Sequence, residues 1–493
     1  MNRAVRLAAV AATALVAAAH VGSPDTYFQG AAGPYPIRVI VRSPGVVPGQ
    51  AEIIVRLLAP GAVSRVSVLP IFWDPRTAAP PPSDRAERVA GDPTLFRAAL
   101  WLMRSGAYGV QVTIDGDRGR GTALVPVQAV ATRRLGLSVP LALLLGALGA
   151  LLVAGAVTLV GAAARESALP AGQAPDGRRI RRARAAMVVS VLVFALALAS
   201  ARAWWQAVDT AFRSGVYHPR AARATVLDSG NSRTLRVTFA DSADDASSWA
   251  PLVPDHGHLL HLFLVRDSTL ATFAHLHPVA VDSVTFDAQL PPLEPGPYRL
   301  YGDIVHETGF AETLTGCVNI PPPHGRWHPS DPDDAWISSP GADTASWARL
   351  ADGSILTWAH AGLLVNADAP LRFTLQGPDH EPVVLEPYMG MAGHLMLTRG
   401  DGAVFVHLHP AGTISVGAQQ TFLRRERGDT ITGALAHRLA AAPEPPMAPE
   451  FGSEVSCPYA FPQPGHYRLW VQIKRSGRIL TGVFDADVMP AGS

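Results

Sequence analysis

The chain has 493 residues, 48% hydrophobic and only 16% charged, against roughly 25% charged in an average soluble domain. A disordered chain is excluded, and part of the protein belongs outside water. Its 41 basic and 40 acidic residues leave a net charge of +1, which supplies no field for a polyanion and argues against a nucleic-acid partner.

In chain order, Arg3 and Arg6 precede an apolar run over residues 7–19 that ends Ala17-Ala18-Ala19, the pattern of a secretory signal over 1–19. Cleavage after Ala19 makes His20 the mature N-terminus, whose amine and imidazole together chelate copper. Residues 20–132 alternate apolar and polar positions, as in Ile37-Arg38-Val39-Ile40-Val41-Arg42 and Val110-Gln111-Val112-Thr113-Ile114. Pro-Gly turns lie between such runs, the grammar of an exported immunoglobulin-like β-sandwich. Two long apolar runs, 135–164 and 185–205, predict transmembrane helices. The loop between them, 165–184, carries Arg165, Arg178, Arg179, Arg181, Arg182 and Arg184, which places it in the cytoplasm. Trp204 and Trp205 then fall at the outer interface, and a linker over 206–224 follows. On this reading the protein is integral to the cytoplasmic membrane of a bacterium through two spans, with its main domains in the periplasm or extracellular space.

The remainder is a tandem duplication. His261-Leu262-Phe263-Leu264-Val265-Arg266 and His275-Leu276-His277-Pro278 reappear as His394-Leu395-Met396-Leu397-Thr398-Arg399 and His407-Leu408-His409-Pro410. Repeat one is placed at 225–322, a linker at 323–350, and repeat two at 351–490 with an insertion over 421–454 read as a long loop with one short helix. Each duplicated segment reads as strand, turn, strand. A tight turn at Asp401-Gly402, and a turn one residue longer at Ser268-Thr269-Leu270, set His394 opposite His409 and His261 opposite His277. His407 and His275 share those faces by period 2. Each copy thereby gathers three imidazoles within reach of one ion. Upstream, His256 and His258 align with Met389 and Met391. An exchange of imidazole for thioether keeps copper affinity better than zinc affinity, so copper is the expected ion and zinc the second choice.

Two cysteines, Cys317 and Cys457, are too few for a disulfide scaffold, though an oxidising compartment permits a bridge between the copies. His306-Glu307 reads as a further ligand or a solvated strand end. The carboxylates at 241–245 and 331–334 read as solvated loops, with calcium binding as the alternative. No Gly-x-Ser-x-Gly elbow, phosphate loop, His-Glu-x-x-His or dinucleotide fingerprint is present, and no enzymatic activity is expected.

A sandwich that can begin with histidine, followed by His/Met-bearing repeats on a membrane anchor, resembles the CopC-like and YtkA-like periplasmic copper proteins. The resemblance implies a mainly β chain of three immunoglobulin-like or cupredoxin-like sandwiches plus two transmembrane helices. It also implies copper sequestration or delivery, with another envelope metal-handling protein as partner. Two alternatives are a structural or partner-binding module in which His-x-His-Pro is a folding signature, and a copper oxidase using a His20 brace.

Overall fold

The computed structural model describes residues 20–21, 25–74, 80–170, 172–239, 250–339, 341–342, 346–360, 362–429, 433–441 and 451–491. The expected signal at 1–19 and the carboxylates at 241–245 lie outside these. The chain is mainly β and divides into two compact units, Met1–Val130 with His218–Ser493, and Ala131–Tyr217.

The smaller unit is a helical hairpin of Val139–Glu166 and Gly177–Ser214, both long and apolar enough to cross a membrane. Its two ends meet, with the Tyr217 N–H donating to the Ala131 carbonyl at 2.7 Å. The expected loop over 165–184 is corrected here. Asp176 caps the second helix by accepting from the Arg179 N–H, and arginine is a good helix former, so Arg178 to Arg184 ride on the first turns of the helix. The same helix runs on to Ser214 through what was expected to be a linker.

In the larger unit the N-terminal strands form an eight-stranded sheet path around a core that includes Val39, Ile53, Val66, Val110 and Val125. The predicted runs fall within Tyr35–Arg42 and Gly106–Gly116. Each repeat packs a four-stranded sheet against a six-stranded one. In repeat one the larger sheet holds His261–Arg266, Thr272–Leu276 and Gly296–His306; in repeat two it holds His394–Arg399, Val404–Leu408 and Gly465–Arg475. The hairpin registers are those expected: Leu262 pairs with Leu276 and Leu395 with Leu408. The stretch 323–350 is more than a linker, because Ala335–Ser338 adds an edge strand with Ala335 opposite His275. The insertion is also corrected. It opens inside the helix Val416–Glu426, capped by Ser415, and a second helix, Ala434–Ala440, follows.

The hairpin strands are buried on both faces. Leu262 and Leu264 point into their own sandwich, whereas Phe263, Val265 and Phe273 face the other repeat, where they meet Met396, Phe405 and Trp470. Tyr301 stacks on Phe405 at 3.9 Å and Phe273 on Trp470 at 4.7 Å. Tyr301 aligns with Trp470 in the duplication, and Phe273 with Phe405, so these are one contact made twice with the repeats exchanged. Such aromatic pairs contribute about 0.5–1.5 kcal/mol each beyond their burial. The two repeats therefore pack face to face with approximate two-fold symmetry.

The N-terminal sheet packs on repeat two through Tyr27, Ile40 and Ile54 and through a backbone seam at residues 411–413. The Gln29 N–H donates to the Ala411 carbonyl at 2.8 Å, and the Thr413 N–H to the Tyr27 carbonyl at 2.9 Å. Gly412 lies at φ 115°, and a Cβ there would fall inside the Tyr27 carbonyl. Gly412→Val is thus expected to open this seam and loosen the N-terminal sheet from repeat two. Thermal unfolding should split into two transitions, and limited proteolysis should begin near residue 412.

Candidate metal centre

The duplicated segments put aromatic residues at the middle of the contact between repeats and histidines at one end of it. Each histidine pair is preceded by the same turn. Asp255-His256-Gly257-His258 and Tyr388-Met389-Gly390-Met391 both close through reciprocal backbone hydrogen bonds of 2.8–3.0 Å between their first and last residues. Both hold a residue other than glycine at positive φ, His256 at 51° and Met389 at 45°, a conformation such residues adopt uncommonly.

Among the described residues, eight imidazoles gather here: His256, His258, His261, His275, His277, His394, His407 and His409. They contain three groups whose ligand atoms lie within 4.8 Å of one another: His256, His394 and His409; His261, His275 and His277; and His258, His277 and Asp331. The expectation of three ligands from each copy is met by the second group alone. In the first, His256 of repeat one crosses to His394 and His409, and His407 stands beside them with ring centroids 5.3 and 4.4 Å away. Met389 is buried and its backbone carbonyl faces the His256 ring, while Met391 is half-buried at its turn. The backbone of His20 pairs in the repeat-two sheet opposite Val404.

The hydrogen bonds are arranged as they are around metal ligands, where one ring nitrogen is oriented by a carbonyl or carboxylate and the other is left for the ion. His409 Nδ1 contacts the Ile414 carbonyl at 3.1 Å, His277 Nδ1 lies 3.2 Å from Asp334, and His407 Nδ1 lies 3.3 Å from Asp303. The Nε2 atoms of those three rings and of His256 are buried without a partner, as are both nitrogens of His394. A buried polar group without a partner costs about 1–3 kcal/mol, and five rings bear that cost within one cluster.

His261 and His275 present a proton shortage. His275 Nδ1 lies 2.9 Å from Gln472 Oε1, so that nitrogen carries the hydrogen. His261 then faces two acceptors, the Asp255 carbonyl at 3.0 Å from Nε2 and His275 Nε2 at 3.2 Å from Nδ1. A neutral imidazole has one N–H to give. With that N–H on the carbonyl, the nitrogen lone pairs of His261 and His275 oppose each other at 3.2 Å. That spacing matches the edge, about 3.3 Å, of a tetrahedron of nitrogens bonded at roughly 2.0 Å to one ion.

Burial, and then the neighbouring imidazoles, push His275, His277, His394 and His407 well below the ordinary histidine value. Burial likewise takes His256 and His261 down to about 4. Neutral imidazole is the form that binds metal. Burial pushes Asp303 up to about 6 and Asp334 up to about 7, which favours the neutral carboxyl beside the neutral imidazoles.

Several of these residues were not expected. Asp303 and Gln472 occupy matching positions of the two copies and reach across symmetrically, Asp303 to His407 and Gln472 to His275. The carboxylates at 331–334 are no solvated loop. Asp334 is buried and accepts from the backbone N–H groups of His277, Ser330 and Asp331, because the strand that follows it docks beside His275. His306 is neither a ligand nor solvated; its Nε2 lies 2.7 Å from Glu312. The buried Glu307 accepts from the Gly433 and Leu435 N–H groups at the start of the second insertion helix. Cys317 is exposed and Cys457 buried, both as free thiols, so the permitted bridge between copies is not formed.

A domain family of unknown function, DUF8832, matches residues 348–490, the second repeat. No curated protein matches the chain. Similar solved structures include the tetra-tandem repeat in the extending region of a large adhesion protein, 8% identical with a TM-score of 0.15 over 90% of this chain and 71% of that one. The Escherichia coli adhesin FdeC is 10% identical, with a TM-score of 0.14 over 95% and 98%. Salmonella alpha-2-macroglobulin reacted with methylamine is 9% identical, with a TM-score of 0.18 over 95% and 24%. TM-scores this low carry no inference about this chain.

Proposed function

We propose that the chain is a membrane-anchored envelope protein that binds transition-metal ions, copper by preference, in the histidine cluster between its repeats. Its role is sequestration or delivery to another envelope protein, without catalysis of its own. The carrying observation is the set of buried, unpartnered ring nitrogens, converging across the repeat interface with carboxylates behind them. A cluster kept only for folding has no use for imidazoles that bind nothing. The exchange of His256 and His258 for Met389 and Met391 between copies favours copper.

The anchor reading rests on the two apolar helices, in which Trp204 and Trp205 are exposed as interfacial aromatic residues are. Two spans put both flanks on one side, and the arginines at the helix ends beside the bend, Arg165 and Arg178 to Arg184, favour the outer side for those flanks. The three β units are read as immunoglobulin-like or cupredoxin-like sandwiches.

Elemental analysis of the full chain, purified in detergent, stripped with chelator and reloaded with copper, tests the reading. Two of the groups share no ligand, so about two ions per chain are expected. No retained copper or zinc after gel filtration would overturn it.

A further inference from the structure

Of the three groups, two are sealed and one is not. In the group of His258, His277 and Asp331, the side chains of His258 and Asp331 are 18% and 23% exposed, while that of His277 is fully buried. His258 Nδ1 lies 3.7 Å from Asp331 and its ring centroid 4.1 Å from that of His277. His277 also belongs to the buried group with His261 and His275. Beyond those two, His407 lies 5.5 Å from His261 and 5.6 Å from His275 between ring centroids, and His407 adjoins the group of His256, His394 and His409. The cluster is therefore a graded series that runs from solvent inward and from repeat one to repeat two.

We propose that His258 and Asp331 form a loading station, through which a hydrated metal cation enters and is handed by the shared ligand His277 to the sealed sites. This rests on the metal-binding reading above. The exchange is a substitution of ligands with no redox step. The ion sheds water to bind His258, Asp331 and His277, then gives up the carboxylate and His258 for His261 and His275 while His277 stays bound. The incoming nitrogens of His261 and His275 already hold free lone pairs opposed at 3.2 Å, so they take the places of the carboxylate and of His258 without releasing a proton and converge on the ion. A mixed carboxylate and imidazole set partly open to water exchanges readily, whereas a dry, all-nitrogen set retains a borderline or soft ion. That asymmetry gives the route its direction.

The test uses the metal-free full chain in detergent and Cu(II) as the probe, with tryptophan quenching followed by stopped flow; Trp470 lies in the repeat interface. The variants are Asp331→Asn, which keeps the acceptor used by the Asp333 N–H, and Asp331→Asn combined with His258→Gln. Both should load copper more slowly than the parent, the double variant by roughly tenfold or more. They should reach the same final copper content and the same unfolding midpoint without metal. Loading at the parent rate overturns the route, and so does a lost ion at unchanged rate, which would make the group a resting site. Failure of the parent itself to bind copper overturns the metal reading instead, and the two failures are distinguishable.

Discussion

Replacing His394 by Leu is expected to raise the stability of the metal-free protein while costing it an ion. His394 is fully buried and neither ring nitrogen has a partner. Its ring is packed by Tyr388, His256, His407 and His409 at centroid distances of 5.0–5.5 Å. An apolar side chain of similar size keeps most of that packing and removes two stranded polar atoms, a gain of about 1–3 kcal/mol. The same change takes a nitrogen from the group with His256 and His409. The contrast is Gln472→Leu, which strips His275 of its hydrogen-bond acceptor and should destabilise the metal-free chain by a similar amount. Thermal unfolding with chelator present, paired with copper content, reads both. A structural histidine would behave in the opposite way, so a destabilised His394→Leu with unchanged copper binding would count against the site. Residues kept at a cost to stability are characteristic of function.

The second large effect is acid lability of the metal-free chain. His256, His261, His275, His277, His394 and His407 are all held below the ordinary value of 6.5 by burial, His256 and His261 at about 4. A group lowered in the folded state contributes stability that is complete above its unfolded value and lost as pH falls through the folded one. Two buried carboxyls act the other way. Asp303, raised to about 6, and Asp334, raised to about 7, take their protons in the folded state first and so favour folding as pH falls toward the ordinary carboxyl value. Six imidazoles outweigh two carboxyls, and the net is a loss. The unfolding midpoint in chelator should fall steadily between about pH 6.5 and pH 4, and a flat or rising midpoint would contradict a neutral buried cluster.

The hairpins were legible in the sequence because two local rules determine them. A turn of fixed length sets register, and period 2 sets the face, which together place His394 opposite His409 and His261 opposite His277. What those rules do not contain is the partner of that face. Expecting each copy to hold its own ion follows from local geometry, whereas the packing of one repeat on the other carries His256 across to His394 and His409. A signal was available: His261-Leu262-Phe263-Leu264-Val265 is apolar at successive positions, as strands covered on both faces are. Asp303 and Gln472 sit on strands distant in sequence and carry no motif. Asp331 and Asp334 lie among Ser, Pro and Trp, a loop composition, and only the docking of Ala335–Ser338 beside His275 brings them inside. The first helix of the insertion begins at Val416, ahead of residue 421, because its cap, Ser415, precedes the point where the two copies stop aligning.

X-ray absorption at the copper edge of the loaded full-length protein tests the central claim most directly. Ions held by these side chains should show a first shell of about three nitrogens near 2.0 Å with the outer-shell scattering of imidazole rings. The signal should weaken in His394→Leu in proportion to the ion lost. A shell of oxygens without imidazole scattering, unaltered by that substitution, would place the copper elsewhere and contradict the account.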